Sequence, residues 1–189
     1  MTMAEVLIAM ALFGLLSTSI GLLLKHAMLY MRRAETRGEL QRVSLFVLSS
    51  LSRELAESSS DCLGFDSGSG WDGALLFATP RGADDQVIYD DSLMQWRGWV
   101  GVGLQSDSGL LLRAYQPLST NTPFKPSPLG VDVLAMLSDS NRRTRVLARN
   151  VTGFQATLGR EVNLTLRVEV REGDDVSTLT TETAVRPMH

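Results

Sequence analysis

From Met3 to Leu24 the chain is almost continuously apolar, and Glu5 is the one charge before Lys25. The run Val6 to Leu24, taken as a helix rising about 1.5 Å per residue, covers about 28 Å, enough to cross the hydrocarbon of a bilayer. It lacks the basic n-region, the shorter apolar core and the small-x-small cleavage site of a secretory signal. Past the span the apolar spacing becomes helical and amphipathic and continues to about Ser58 without proline. Leu40, Val43, Val47, Leu48, Leu51 and Leu55 fall in one arc of about 140°, with Arg42, Ser49, Ser52 and Arg53 opposite. That face is expected to cover a sheet, as a helix from about Arg32 onward joined to a domain that folds without the span.

The rest of the chain predicts strands. Residues 59–70, rich in Ser, Gly and Asp, read as a loop leaving the helix. Strand signals follow at Gly73–Thr79, Gln86–Tyr89, Leu93–Val102, Leu110–Tyr115 and Val146–Leu158, with a turn at Ser106–Gly109. Gln116–Gly130 holds four of the six prolines and reads as a long surface loop. The clearest strand is Val162–Val170, where Val162, Leu164, Leu166, Val168 and Val170 alternate with Asn163, Thr165, Arg167 and Glu169. A turn at Glu172–Asp175 leads to a hairpin partner over Ser177–Arg186. The pattern defines an α+β chain in three parts: an apolar helix half over 1–25, an amphipathic half over 26–58 and a β-rich domain over 59–189.

The acid in the apolar segment needs an explanation. An ionised carboxylate inside a membrane costs about 2.5–3.5 kcal/mol on insertion scales unless a partner neutralises it. No cation lies within its own helix, so the nearest candidate is an amino terminus, either its own or a neighbour's. Gly14, Gly21 and Gly38 interrupt the helix, with Ser17, Thr18 and Ser19 between the first two, and lower its propensity. Small residues of this kind let neighbouring helices approach closely. The order Met1-Thr2-Met3-Ala4-Glu5-Val6-Leu7 resembles the mature N-terminus of type IV pilins and pseudopilins, where an apolar first residue precedes Thr-Leu-x-Glu and an apolar helix. Met1 stands where the family usually has Phe. The resemblance implies the type IV pilin fold, N-methylation at Met1 after cleavage by a prepilin peptidase, and pairing of Glu5 with the N-terminal amine of an adjacent subunit. It also implies that the chain is either numbered from that cut or begins from a late start. A basic leader would oppose the charge of Lys25, His26, Arg32, Arg33 and Arg37, which lies beyond the span. Family members that lose helix here carry a proline at position 22, occupied in this chain by Leu22.

Later segments extend the likeness. The helix end ELQRVSLFVLSSLSRELAES, then LLFATP, WVGVGLQSDSGLLLRAYQ, VLARNVTGFQATL and a final amphipathic hairpin ending AVR are similar, in that order, to minor pilins of the W type and minor pseudopilins of the J type. This implies a low-copy subunit that joins other minor subunits in a tip complex, primes assembly, and works with a major pilin and an inner-membrane assembly platform. Its domain would lie in the periplasm before assembly and then on a surface pilus or periplasmic pseudopilus. The competing readings are an exposed subunit that binds DNA or a surface, a major pilin, and a tethered domain that never polymerises. The twitching pilus, uptake pilus and secretion pseudopilus all use such subunits, and the residues do not choose among them.

Charge and chemistry add limits. Net charge is −3, with six basic and five acidic groups in residues 1–60 and twelve and sixteen beyond. A mildly acidic domain does not present a general polyanion surface. Cys62 is the only cysteine and makes no internal disulfide, unlike the C-terminal cystine of many major pilins. The two histidines, His26 and His189, support neither a Ser/His/Asp arrangement nor a His-rich metal site, and no enzyme is expected. Asp84-Asp85, Asp90-Asp91 and Asp174-Asp175 are candidate calcium ligands but lack the spacing of a calcium loop and read as turn residues. Arg142, Arg143 and Arg145, with Arg149, form the one basic cluster and a candidate DNA contact, against the plainer reading of solubility or acidic neighbours. Trp96 and Trp99 are expected to lie in exposed apolar surface that meets a partner subunit.

Overall fold

The computed structural model describes residues 2–68, 70–82, 84–139, 143–159, 161–172 and 175–188, with the backbone only at 143, 172 and 175. The chain divides into two compact units, Met1–Glu39 and Leu40–His189. One helix, α1 (Met3–Ala56), supplies most of the first unit and the opening of the second.

In the first unit the described residues of the apolar stretch are exposed along the whole span, with Leu7, Phe13, Leu16 and Leu23 all more than 60% accessible. Its most apolar window has mean hydropathy 2.3 and is long enough to cross a membrane. The glycines do not break the helix. Thr18 and Ser19 donate their hydroxyls to the carbonyls of Gly14 and Leu15, at 2.8 and 2.9 Å, which removes the polar groups from competition with solvent. Open space surrounds Gly14, Gly21 and Gly38.

In the second unit a five-stranded antiparallel sheet has the order β1-β2-β5-β6-β7, from β1 (Leu63–Gly68), β2 (Trp71–Thr79), β5 (Trp96–Gln105), β6 (Leu110–Thr122) and β7 (Arg143–Ala148). A three-stranded sheet of β8 (Val151–Leu158), β9 (Val162–Glu172) and β10 (Asp175–Val185) has the order β10-β9-β8. Two short strands, β3 (Tyr89–Asp90) and β4 (Leu93–Met94), pair with each other. The expected helix face is buried: Leu40, Val47, Leu48, Leu51 and Leu55 are at most 3% exposed and share one core with Leu75, Phe77, Val100, Val102 and Leu104 of the larger sheet. Val162, Leu164, Leu166 and Val168 of β9 close that core from the smaller sheet, as their alternation requires.

The opposite face of the larger sheet carries a second core. Ala74, Leu76 and Ala78 of β2 alternate with the first-core residues and meet α2 (Val133–Ser138), a helix capped by the Asp132 carboxylate, which accepts from Ala135 N at 2.9 Å. Two glycines of β5 admit this helix. A Cβ at Gly101 would stand 2.7 Å from Met136 Cε and 2.9 Å from Val133 Cγ2, and one at Gly103 would stand 2.7 Å from Leu137 Cδ1.

Several expectations are corrected here. Trp96 and Trp99 are 4% and 3% exposed and belong to the second core, so they present no apolar surface to a partner. The segment Gln116–Thr122 is the end of β6 rather than loop. Pro117 lies beyond Tyr115, the last residue of β6 that pairs with β7 among the described residues, and proline is tolerated where a strand runs on without a partner on one side. Residues 63–68 form β1, and the expected strand at 86–89 is reduced to a bridge between Val87 and Arg81 followed by a tight hairpin. Asp91 and Ser92, with φ of 46° and 68°, make that turn and end the strand early.

Candidate functional site

Two places in the chain hold carboxylates in unusual surroundings. The first is the start of α1. The Thr2 backbone N–H donates to Glu5 Oε2 at 2.8 Å, while the Thr2 hydroxyl lies 3.4 Å from the Glu5 N–H. Thr and Glu at this spacing form a reciprocal capping box, in which the acid also meets the positive end of the helix dipole. Glu5 therefore has a partial answer to its charge within its own chain, from the Thr2 backbone N–H and the start of the helix. Met1, the candidate for N-methylation, lies outside the described residues.

The second place is the end of α1 in the Leu40–His189 unit. Glu54 is buried, with its side chain 5% exposed, and accepts from Arg113 of β6 through Nε at 3.1 Å and Nη2 at 2.8 Å, both on Oε2. Arg145 of β7 approaches the other oxygen at 3.8 Å. One helical turn on, Glu57 takes both donors of the Arg81 fork, and that pairing holds Arg81 protonated above its ordinary range. Arg81 also meets Asp85 at 3.6 Å, Arg53 meets Asp85 at 3.9 Å, and Arg97 meets Asp84 at 2.9 Å. Desolvation pushes the Asp84 carboxyl upward, but backbone hydrogen bonds from Asp84 and Gln86 and the nearby Arg97 outweigh it and hold it below the usual range. Chain position sets this belt: Glu54 in the last turn of α1 meets Arg113 of β6, and Glu57, just past the helix end, meets Arg81, just past the end of β2.

The basic cluster is only partly brought together. Arg142 and the Arg143 side chain lie outside what is described, Arg149 is exposed beyond the end of β7, and Arg145 is directed toward the Glu54 carboxylate. Of the acid pairs, Asp84 and Asp85 face arginines, and Asp174 lies outside the described residues. Among the described residues no three His, Cys, Asp or Glu side chains gather as a metal site. Sequence reasoning missed Glu54 and Arg113. The available signal was that Glu54 falls inside the same arc as Leu51 and Leu55.

Cys62 is fully buried, and burial pushes its thiol up to about 11 from 9.0, with Lys125 opposing and Asp61 adding to the shift. The raised value means that the stability this thiol contributes is complete below pH 9 and is lost as pH rises toward 11. At pH 8 its thiolate fraction is about a hundredfold below that of the unfolded chain, so iodoacetamide should label native protein at least that much more slowly than protein in denaturant. Equal rates would show that the site opens freely.

The fold and these sites define an α+β protein whose long N-terminal helix is apolar and long enough to be a single-pass membrane anchor. Comparison of the chain with protein-family models, with curated proteins and with solved structures finds no match.

Proposed function

We propose that this chain is a minor subunit of the type IV pilin-like class. It would be held in a bacterial inner membrane by the first part of α1, with its β-rich domain exported, and would join other minor subunits to prime a pilus or pseudopilus. The observation that carries this reading is the acid at position 5 of a helix that is otherwise exposed and apolar for the whole length of a membrane span. A simple anchor has no use for Glu5, whereas a helix that leaves the bilayer to join a filament can neutralise it on a neighbour's amine. The open surroundings of Gly14 and Gly21 support the same reading, because they permit close helix contact. With Trp96 and Trp99 buried, this reading rests its subunit contact on the helix alone.

The capping box makes a sharp test available. Glu5→Gln keeps a side chain able to accept from Thr2 but removes the charge, whereas Glu5→Ala removes both. Both variants should remain stable and membrane-resident, and both should fail to co-purify with the other minor subunits and the major pilin. If Glu5→Gln assembles at wild-type levels while Glu5→Ala does not, Glu5 serves only as a cap and the filament reading loses its main support.

A further inference from the structure

Arg113 and Arg145 stand directly opposite each other in the β6–β7 register. Like charges so placed repel unless an anion lies between them, and Glu54 supplies one. Its two oxygens are unevenly used. Oε2 accepts both bonds from Arg113, while among the described residues Oε1 has only the 3.8 Å approach of Arg145. Arg53, one residue before Glu54, has among the described residues only its 3.9 Å approach to Asp85, a carboxylate already shared with Arg81. Both distances are too long for hydrogen bonds, so among the described residues the guanidinium groups of Arg53 and Arg145 donate none.

The two arginines line one cavity of about 490 Å³ together with Glu54, Asp85, Arg113 and Thr144. Its walls bring three guanidinium groups against two carboxylates. The geometry points to a carboxylate-binding site in this cavity, in which the forks of Arg145 and Arg53 take the two oxygens of an incoming carboxylate. Arg113 is fixed by Glu54 and supplies the field without moving. A planar carboxylate matches two guanidinium edges and completes the neutralisation of the Arg113/Arg145 pair, which Glu54 achieves from one side only. The carboxylate belongs either to a small free acid or to an Asp or Glu side chain of a partner protein. The site does not rest on the filament reading, since it lies wholly in the Leu40–His189 unit and does not involve Glu5.

The test uses the full chain in detergent micelles. Titration calorimetry with succinate, and separately with a capped Gly-Glu-Gly-Glu-Gly peptide, is run against sodium chloride at matched ionic strength. Saturable one-to-one binding is expected for at least one probe, and Arg145→Gln and Arg53→Gln should each weaken it about tenfold without lowering the melting temperature. Arg145→Lys should weaken it nearly as much, because it keeps the charge and loses the fork. Comparable binding of succinate and peptide assigns the site to a free acid, and markedly tighter binding of the peptide assigns it to a partner's side chain. The proposal is overturned if neither probe binds saturably, or if binding survives unchanged in the Arg53→Gln/Arg145→Gln double variant.

Discussion

Glu54→Gln is expected to lower the melting temperature of the Leu40–His189 unit by about 10 °C, although it changes no side-chain volume. The wild-type carboxylate is buried and takes both bonds of Arg113, with Arg145 directly across the ladder. An amide accepts one hydrogen bond well but cannot neutralise two opposed guanidinium groups. Removing one partner of a buried pair costs about 3–5 kcal/mol, most of it the penalty on the charge left behind. The double variant Glu54→Leu/Arg113→Met removes both buried charges and leaves the half-exposed Arg145 to water. It should recover most of the loss, since apolar replacement of a whole buried pair is often neutral or better. Thermal unfolding of the three proteins by circular dichroism decides the matter. A Glu54→Gln protein melting within about 2 °C of wild type would mean that water already reaches the pair and that burial does not define this site.

This locus also marks the limit of what the residues disclosed in advance. Periodicity on one element was enough to give the Leu40–Leu55 face and the alternation of β9, because in each the repeat of 3.6 or 2 reports directly on a face turned inward. The 106–109 turn was equally plain, since Gly109 at a φ of 61° does what few other residues do easily. The Glu54–Arg113 pair joins residues 59 positions apart and has no local signature. Arg145 was read with its basic neighbours as a surface cluster, whereas its strand register turns it toward Glu54. Strand β1 carries Gly, Asp and Ser and has little propensity of its own, so it exists because β2 offers a partner along Leu75–Phe77. Helix α2 is six residues long, too short for a period to emerge. Docked on Gly101 and Gly103, it shares the second core with Trp96 and Trp99.

Leu51→Ala carries the second large effect and bears on whether the Leu40–His189 unit is an independent fold. Leu51 is completely buried, in the same core as Phe77 of β2, Val100 of β5 and Leu164 of β9, a core built by the helix and both sheets. Truncating it removes about three carbons of buried surface and leaves a cavity between layers that cannot close without moving a strand, a loss of about 2–5 kcal/mol. The unit that contains it is held by strand ladders and two apolar cores, both formed by residues from Leu40 onward. The full chain should therefore show a melting point lowered by about 5–15 °C, and the same decrement should appear in a fragment from Arg32 to His189 that lacks the span. If the fragment does not fold, the span contributes to the domain's stability. If the fragment folds but Leu51→Ala melts normally in it, the helix does not seal the sheet in solution, and the α1 face proposed as the spine of this domain is not its core.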